Sequence, residues 1–487
     1  MPKGKEIIDR VLSAENRRRI EQDKRRYKVY QGKLKDEIVQ HLRKEFVLEK
    51  TVASMMHRIV PINITQKIIN KLAMVYRESP ERRPSEESEA DQALIDAYVR
   101  SMLLNQKMKF ANRYFKLMKH VALEPFVNRD GKPSLRVLPS HTYTPISYDE
   151  LEPERPTAFV KHVRTDVEDA KEMRFHYWSD EQFLILDGEG SIVLDEMRVD
   201  DNQDGVNPYG KIPYVYLAEN DDGKLIPIAD DDLISMQFVI STLLTDLTYA
   251  SKYQAWSIYV LTGVDQSQKV EMNPSAVLTL PEGASLDAIK ANVDINQMLS
   301  QVETLVGMLL TTKNLSVGDI SGQIQANSAA SGVAKMIDRS ETTEDRMDQE
   351  QYFINAERKL WDLLAHHMVP VWNDRRLLAE DMTGTFSPDF EIQVHFPDQK
   401  PHVSDKELIE IQIMKLDNGL TTKKRAIQEI YKDMTSEEVD QLLNEIEEDK
   451  PDMSALINGL RQANGERDDE GEDQDDDAEE DDGVQED

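Results

Sequence analysis

Between Leu233 and Thr262 the chain runs LISMQFVISTLLTDLTYASKYQAWSIYVLT, with no glycine or proline and only Asp246 and Lys252 charged. Read as one helix, this stretch is about 45 Å long. A helix so poor in charge on every face cannot stand alone at a surface, because most of its circumference must be covered. Its many Ser, Thr, Gln and Tyr residues argue against lipid as the cover. Protein remains, and neighbouring copies of the same helix would serve.

The rest of the chain sets bounds on that cover. It has 487 residues, 39% of them hydrophobic, enough for two to four folding units and a real core. The formal net charge is -33, from 59 basic and 92 acidic residues, which makes a purely electrostatic grip on a phosphate backbone the wrong first expectation. Cysteine is absent, so disulfides, thiolate nucleophiles and cysteine-ligated zinc are excluded, and a reducing cytosolic compartment is expected. The segment MPKGKEIIDRVLSAENRRRIEQDKRRYKVY is charged where a signal peptide needs an apolar run, and nowhere do 18 apolar residues follow one another. The expectation is a protein that is neither secreted nor membrane-spanning.

Period changes divide the chain. Apolar positions at three and four spacing in KEIIDRVLSAENRRRIEQDKRRYKVY and VPINITQKIINKLAMVYRESP predict helices. Arg17, Arg18, Arg19, Lys24, Arg25 and Arg26 form a basic run laced with Glu15, Glu21 and Asp23, which reads first as a solvated helix face and second as a binding patch. Short β-branched and aromatic segments with Asp-Gly and Gly-x-Gly turns follow, predicting one antiparallel sheet from about Glu124 to Glu219. After the charge-poor helix comes a strand-like tip with Pro-Glu-Gly at a turn, then a second helix, INQMLSQVETLVGMLLTT, so the pair makes a projecting hairpin. The small-residue loop TTKNLSVGDISGQIQANSAASGVAKMIDRS leads into a long helix expected from Ala326 to Asn373, with a weak point at Ser331 and Gly332. A strand, FEIQVHFPDQ, follows. Capping boxes at Ser404 to Glu407 and Thr435 to Glu438, with a stop at Asn418-Gly419, predict a small helical domain. From Glu466 to Asp487, 15 residues are acidic and one is Arg, the composition of a disordered tail. The fold class expected is α+β, mostly helical.

Sites for chemistry are sparse. Walker A, dinucleotide, Gly-x-Ser-x-Gly and His-Glu-x-x-His patterns do not occur. Asp200, Asn202, Asp204 and Gly205 match the first half of a calcium loop, but Lys211 stands where a bidentate Glu is needed and Pro208 intrudes, favouring a turn between strands. Asp230, Asp231 and Asp232 could offer carboxylates to two magnesium ions, but three acids before an apolar helix are also good helix-start charges. His366 and His367, consecutive on a helix, point in different directions, so joint chelation is not expected. Neither a metal nor another cofactor is expected.

Taken in order, these features resemble one family, the portal proteins or head-to-tail connectors of tailed bacteriophages. The resemblance is carried by PINITQKIINKLAMVYRESP, GKIPYVYLAEN, SAVLTLPEGASLDAIKAN, NSAASGVAKMIDRS and LDNGLTTKKRAIQEI, spread over nearly the whole chain. It implies a portal-type wing, stem, clip and crown assembled as a ring, with no enzymatic activity. The wing would cover residues 1–229, stem helix 1 residues 230–262, the clip 263–293 and stem helix 2 residues 294–312. The tunnel loop would be 313–325, the wing spine helix and strand 326–402, the crown 403–464 and the acidic tail 465–487.

The resemblance also implies a ring of about twelve subunits at a capsid vertex of the virion, assembled in the bacterial host cytoplasm, passing double-stranded DNA. The tunnel-loop residues Lys313, Asn314, Ser316, Gly318 and Gly322 would then face the DNA. Clip residues Lys269, Glu271, Glu282 and Asp287 would meet the large terminase and later a head-completion or tail adaptor protein. Major capsid and scaffolding proteins would meet the wing, and no membrane is involved. Two other readings compete: an acidic scaffold or chaperone-like protein without a ring, and a metal-dependent nuclease built on Asp230 to Asp232.

Overall fold

The computed structural model describes residues 4–46, 49–199, 204–219, 223–255, 258–262, 285–289, 294–315, 340–397, 405–431, 434 and 436–448. The N-terminal apolar spacing folds as two helices and not one, α1 (Gly4–Val11) and α2 (Ala14–Tyr30). The break lies at Ser13, whose hydroxyl accepts the Asn16 N–H at 3.3 Å and so caps α2. Helices α3 (Lys35–Glu45), α4 (Glu49–Met56) and α5 (Ile64–Leu72) follow. Strand β1 (Glu81–Pro84) then leads into α6 (Glu89–Met102) and α7 (Leu104–Met118).

The β region begins earlier than expected and is two sheets. In the first, β2 (His120–Val127) lies between β3 (Pro133–Leu138) and β8 (Val215–Ala218), all antiparallel. The second runs in sequence order through β4 (Tyr143–Ile146), β5 (Ala158–Arg164), β6 (Arg174–Ser179) and β7 (Phe183–Leu186). A short helix, α8 (Leu194–Val199), separates β7 from β8. Both faces of β2 are buried, so it lacks the alternation that marks a one-sided strand. The expected single sheet is therefore corrected to a three-stranded and a four-stranded one.

The charge-poor stretch is also corrected. Helix α9 spans Asp232–Ala255, and Ile258–Thr262 is a strand, β9, paired antiparallel with β10 (Ser285–Ile289). The run Ile258, Tyr259 and Val260 is β-branched and aromatic and favours a pleated ladder, although its hydropathy continues that of the helix. Helix α10 (Ile295–Thr311) returns alongside α9, capped by Asp294, whose carboxylate accepts from the Asn296 and Gln297 amides.

Helix α11 (Ser340–Asp362) continues through a π-helical turn, Leu363–Met368, into α12 (Val369–Asp374). Pro370 has no N–H for the His366 carbonyl and would crowd it, and the wider turn, with Val369 N–H reaching Leu364 O, makes room. The expected start at Ala326 and the weak point at Ser331 and Gly332 lie outside the described residues. Strand β11 (Ile392–His395) pairs with β1.

The largest core gathers α6, α7, the β2 sheet and α11, with Tyr98, Phe353, Trp361 and Trp372 fully buried. Inside it Glu357 accepts from both arms of Arg82 (2.5 and 2.7 Å) and from the Tyr76 hydroxyl (2.6 Å), so the buried charge is paired and hydrogen-bonded. The chain splits into two compact units, Met1–Gln399 and Lys400–Asp487. In the second, helices Asp405–Asp417, Lys423–Ile430 and Ser436–Glu448 are described. The first ends as the sequence predicts, with Gly419 at φ +68°, while Ser404, Thr435 and the acidic tail lie outside the described residues.

Candidate functional site

The hairpin of α9 and α10 is built from both sides. Leu233 and Ile240 of α9 pack with α5 and with Val302, Leu309 and Leu310 of α10, while Ile234 packs with Ile38 and Leu42 of α3 and Met55 of α4. Yet over Asp232–Lys252, mean hydropathy 1.3, only 33% of the residues are fully buried, and most of the others are half-buried. By length and composition this segment is apolar enough to cross a membrane. Val239 on α9, and Leu299 and Met308 on α10, are exposed.

The polar residues of α9 have a use the sequence did not reveal. The buried Gln237 carbonyl accepts from the backbone N–H of Ile64 (2.8 Å) and Thr65 (2.9 Å) and from the Thr65 hydroxyl, so it serves the orphan donors that open α5. Its amide donates to Ile62 O and to Ser241 Oγ. Thr245 accepts from Val60 N–H at 3.2 Å, and Thr248 donates to Arg58 O at 2.9 Å. A stripe of Gln, Ser and Thr thus ties α9 to the loop at residues 58–65. Only the donor and acceptor inventory of that loop could have hinted at it.

At the foot of the hairpin, all three aspartates meet cations. Asp231 pairs with Arg26 at 2.5 Å, Asp232 with Lys313 at 2.8 Å, and Asp230 with Lys313 at 3.7 Å and Lys119 at 3.8 Å. Two magnesium ions would have to displace Arg26, Lys119 and Lys313, so the helix-start reading describes this run and the nuclease reading does not. Lys313 stands just beyond α10, so this cluster ties the start of α9 to the exit from α10.

The basic run on α2 is partly corrected. Arg26 is buried, held by Asp23 (2.9 Å), the Ala229 carbonyl (2.8 Å) and Asp231, and Arg19 reaches Asp23, Ser140 O and Tyr143 O. Arg25 remains on a solvated face beside Glu37. Burial raises the Asp23 carboxyl pKa against the pull of Arg19 and Arg26. Burial also drives His120 well below its usual range, with Arg19 and Arg26 adding to the effect. A face expected to be solvated became internal because Asp231, which completes the network, lies far away in sequence.

The predicted site residues are placed as follows. Lys313 is paired as above, and Asn314 adopts a left-handed backbone at φ +54°. Asp287 is on β10 opposite Val260. Ser316, Gly318, Gly322, Lys269, Glu271 and Glu282 lie outside the described residues. Asp204 and Gly205 form a turn, with Asp204 Oδ1 accepting from Val206 N–H, and Asn207 Nδ2 binds Ser179 O and Lys211 O. His366 meets Asp362 and Pro388 O, whereas His367 meets Tyr209 O, so they diverge as expected.

An apolar hairpin anchored by cation-paired acids to a mixed α+β body describes a structural component. Residues 9–452 match the family described as "Phage portal protein, SPP1 Gp6-like", and the chain belongs to that family. Portal proteins are the head-to-tail connectors of phage virions, structural and non-catalytic, and form the DNA-packaging channel at a capsid vertex. No curated protein matches the chain. Among solved structures, a chain from "Virion of native gene transfer agent (GTA) particle" aligns at TM-score 0.41 and 11% identity, covering 78% of this chain and 92% of that one. A chain from "Neck of empty GTA particle computed with C6 symmetry" aligns at 0.39 and 12%, covering 76% and 91%. The family assignment rests on the family match and not on these two likenesses.

Proposed function

We propose that the chain closes into a ring of twelve subunits, with α9 and α10 as the stem around a channel for double-stranded DNA. The observation that carries this reading is α9 itself, a helix nearly free of charge of which its own chain fully buries only a third of the residues. A ring supplies each copy with two identical neighbours, and a heterologous contact that closes needs no other partner.

In this reading residues 1–229 are the wing, 263–293 the clip, 313–325 the tunnel loop, 326–402 the wing spine helix and strand, and 403–464 the crown. Lys313 would touch a DNA phosphate by exchanging one of its aspartates for another anion, while small residues after it keep the bore open. An acidic channel wall would repel the duplex and lower friction, since strong phosphate neutralisation holds DNA in place. The clip would receive terminase and then an adaptor, using Lys269, Glu271, Glu282 and Asp287. Packaging is expected to slow when several channel-facing acids are reversed in sign; packaging at the normal rate would refute the friction argument.

The absence of native cysteine allows a clean test of the ring. Val239→Cys and Met308→Cys, joined by a bifunctional maleimide, are expected to give a ladder on denaturing gels that stops at the closed ring. A chain that stays monomeric at every reagent concentration would overturn the proposal.

A further inference from the structure

A cleft of about 510 Å³ opens where the β2–β3 turn, β6 and α12 meet, far in sequence from the hairpin. Three half-buried rings line it, Phe126, Trp178 and Tyr209, backed by the buried Tyr214 and Trp372. The rings are fixed in place. Trp178 stacks near Tyr209 with centroids 6.1 Å apart, Trp372 Nε1 donates to Tyr209 Oη at 3.3 Å, and Tyr214 Oη donates to Glu124 at 3.2 Å. Rigid rings supply contact area at low entropic cost, and Trp, Tyr and Arg are the residues that dominate binding energy at interfaces.

The charge here opposes that of the whole chain. Glu124, the one carboxylate in the lining, is neutralised twice, by Lys161 at 2.6 Å and Arg136 at 2.5 Å, and Arg136 also lies 4.4 Å from the Phe126 ring centroid. Arg129 and Arg376 also line it, are exposed, and make no ion pair with a described residue. Arg376 is held at φ +52° by the end of α12, a left-handed position that glycine usually takes. A guanidinium is thus kept at the cleft where the backbone alone would favour glycine.

From this we infer that the cleft binds a short acidic segment of a partner protein, with one aromatic or proline side chain entering between the rings and flanking carboxylates meeting Arg129 and Arg376. A guanidinium pairs bidentately with a carboxylate, and an aromatic-walled slot accepts a ring or a proline. A nucleotide has similar chemistry, but the channel reading supplies duplex DNA, whose bases are stacked away from any such slot. That reading is used only to choose between these ligands; the binding itself requires no ring.

The test is selection of random displayed peptides on the purified full chain, followed by anisotropy titration of the best fluorescein-labelled peptide. Enrichment of acidic residues around a single aromatic or proline is expected. Affinity should fall at least tenfold in Arg129→Ala/Arg376→Ala, whose exposed positions leave the melting temperature unchanged, and tenfold again when the central ring of the peptide becomes alanine. No such enrichment, or affinity unchanged in the double variant, would overturn the proposal. Equal binding of the ring-less peptide would reduce it to surface charge and overturn it as well. Displacement by deoxyadenosine monophosphate would assign the cleft to nucleotides instead.

Discussion

Helices α9 and α11 are both central to this chain and solve opposite problems. Helix α11 buries one face in its own chain, with Phe353 and Trp361 fully buried and Glu357 sealed in with Arg82, and turns Asp348, Gln351, Arg358 and Lys359 to solvent. Helix α9 has almost no charge, yet its own chain fully buries only a third of its residues, leaves most of the others half-buried, and grips it with hydrogen bonds through Gln237, Thr245 and Thr248. The difference separates a helix whose open face is polar and suits water from one whose half-covered face, nearly without charge, suits a neighbouring subunit.

The sharpest way to break the comparison is to open the self-contained core. Glu357→Ala strands Arg82 and the Tyr76 hydroxyl without their shared acceptor, and should cost about 3–5 kcal/mol in urea unfolding. Gln237→Ala leaves two N-terminal amides of α5 unserved and should cost about 1–3 kcal/mol, with faster hydrogen exchange at Ile64 and Thr65. Lys313→Ala, at a partly exposed cluster, should cost no more than about 1 kcal/mol, an effect that shrinks further in high salt. The smallest effect on the isolated fold is expected for Val239→Asp, within about 0.5 kcal/mol, while assembly suffers most. A large loss of fold stability in that variant would place α9's exposed face inside its own subunit's core.

Acid should act on the self-contained body. Burial lowers His141 to about 4 and His162 to about 3 from an ordinary 6.5, and His120 is lowered as well. A histidine depressed in the folded state stabilises fully above 6.5, and that contribution is lost as pH falls through its folded value. Stability should therefore fall from pH 6.5 towards 4, as thermal melts over that range would show. Asp23, whose carboxyl burial raises, acts in the opposite sense and offsets part of the loss. His120→Gln with His162→Gln should flatten the profile.

What was legible in the sequence follows the same division. The mostly helical α+β class and the apolar hairpin were readable because they depend on composition and local period, and the portal family through a resemblance spread over nearly the whole chain. The change at Ile258 from helix to strand was hidden, since a β-branched run continues the hydropathy of the helix without a breaker. The burial of Arg26 was hidden because its partner Asp231 is remote in the chain, and a local rule could only pair it with Asp23. The aromatic cleft was invisible for that reason too: Phe126, Trp178, Tyr209 and Trp372 come together only through the packing of α12 onto the sheets. The two divided sheets were missed because β2 is buried on both faces and does not alternate.

The central claim is that the half-covered, charge-poor face of α9 belongs to a ring. Native mass spectrometry of the purified protein measures it directly. The account predicts a particle near twelve times the 55.9 kDa chain, stable across salt concentrations. A monomer or dimer at every concentration and salt tested would contradict it.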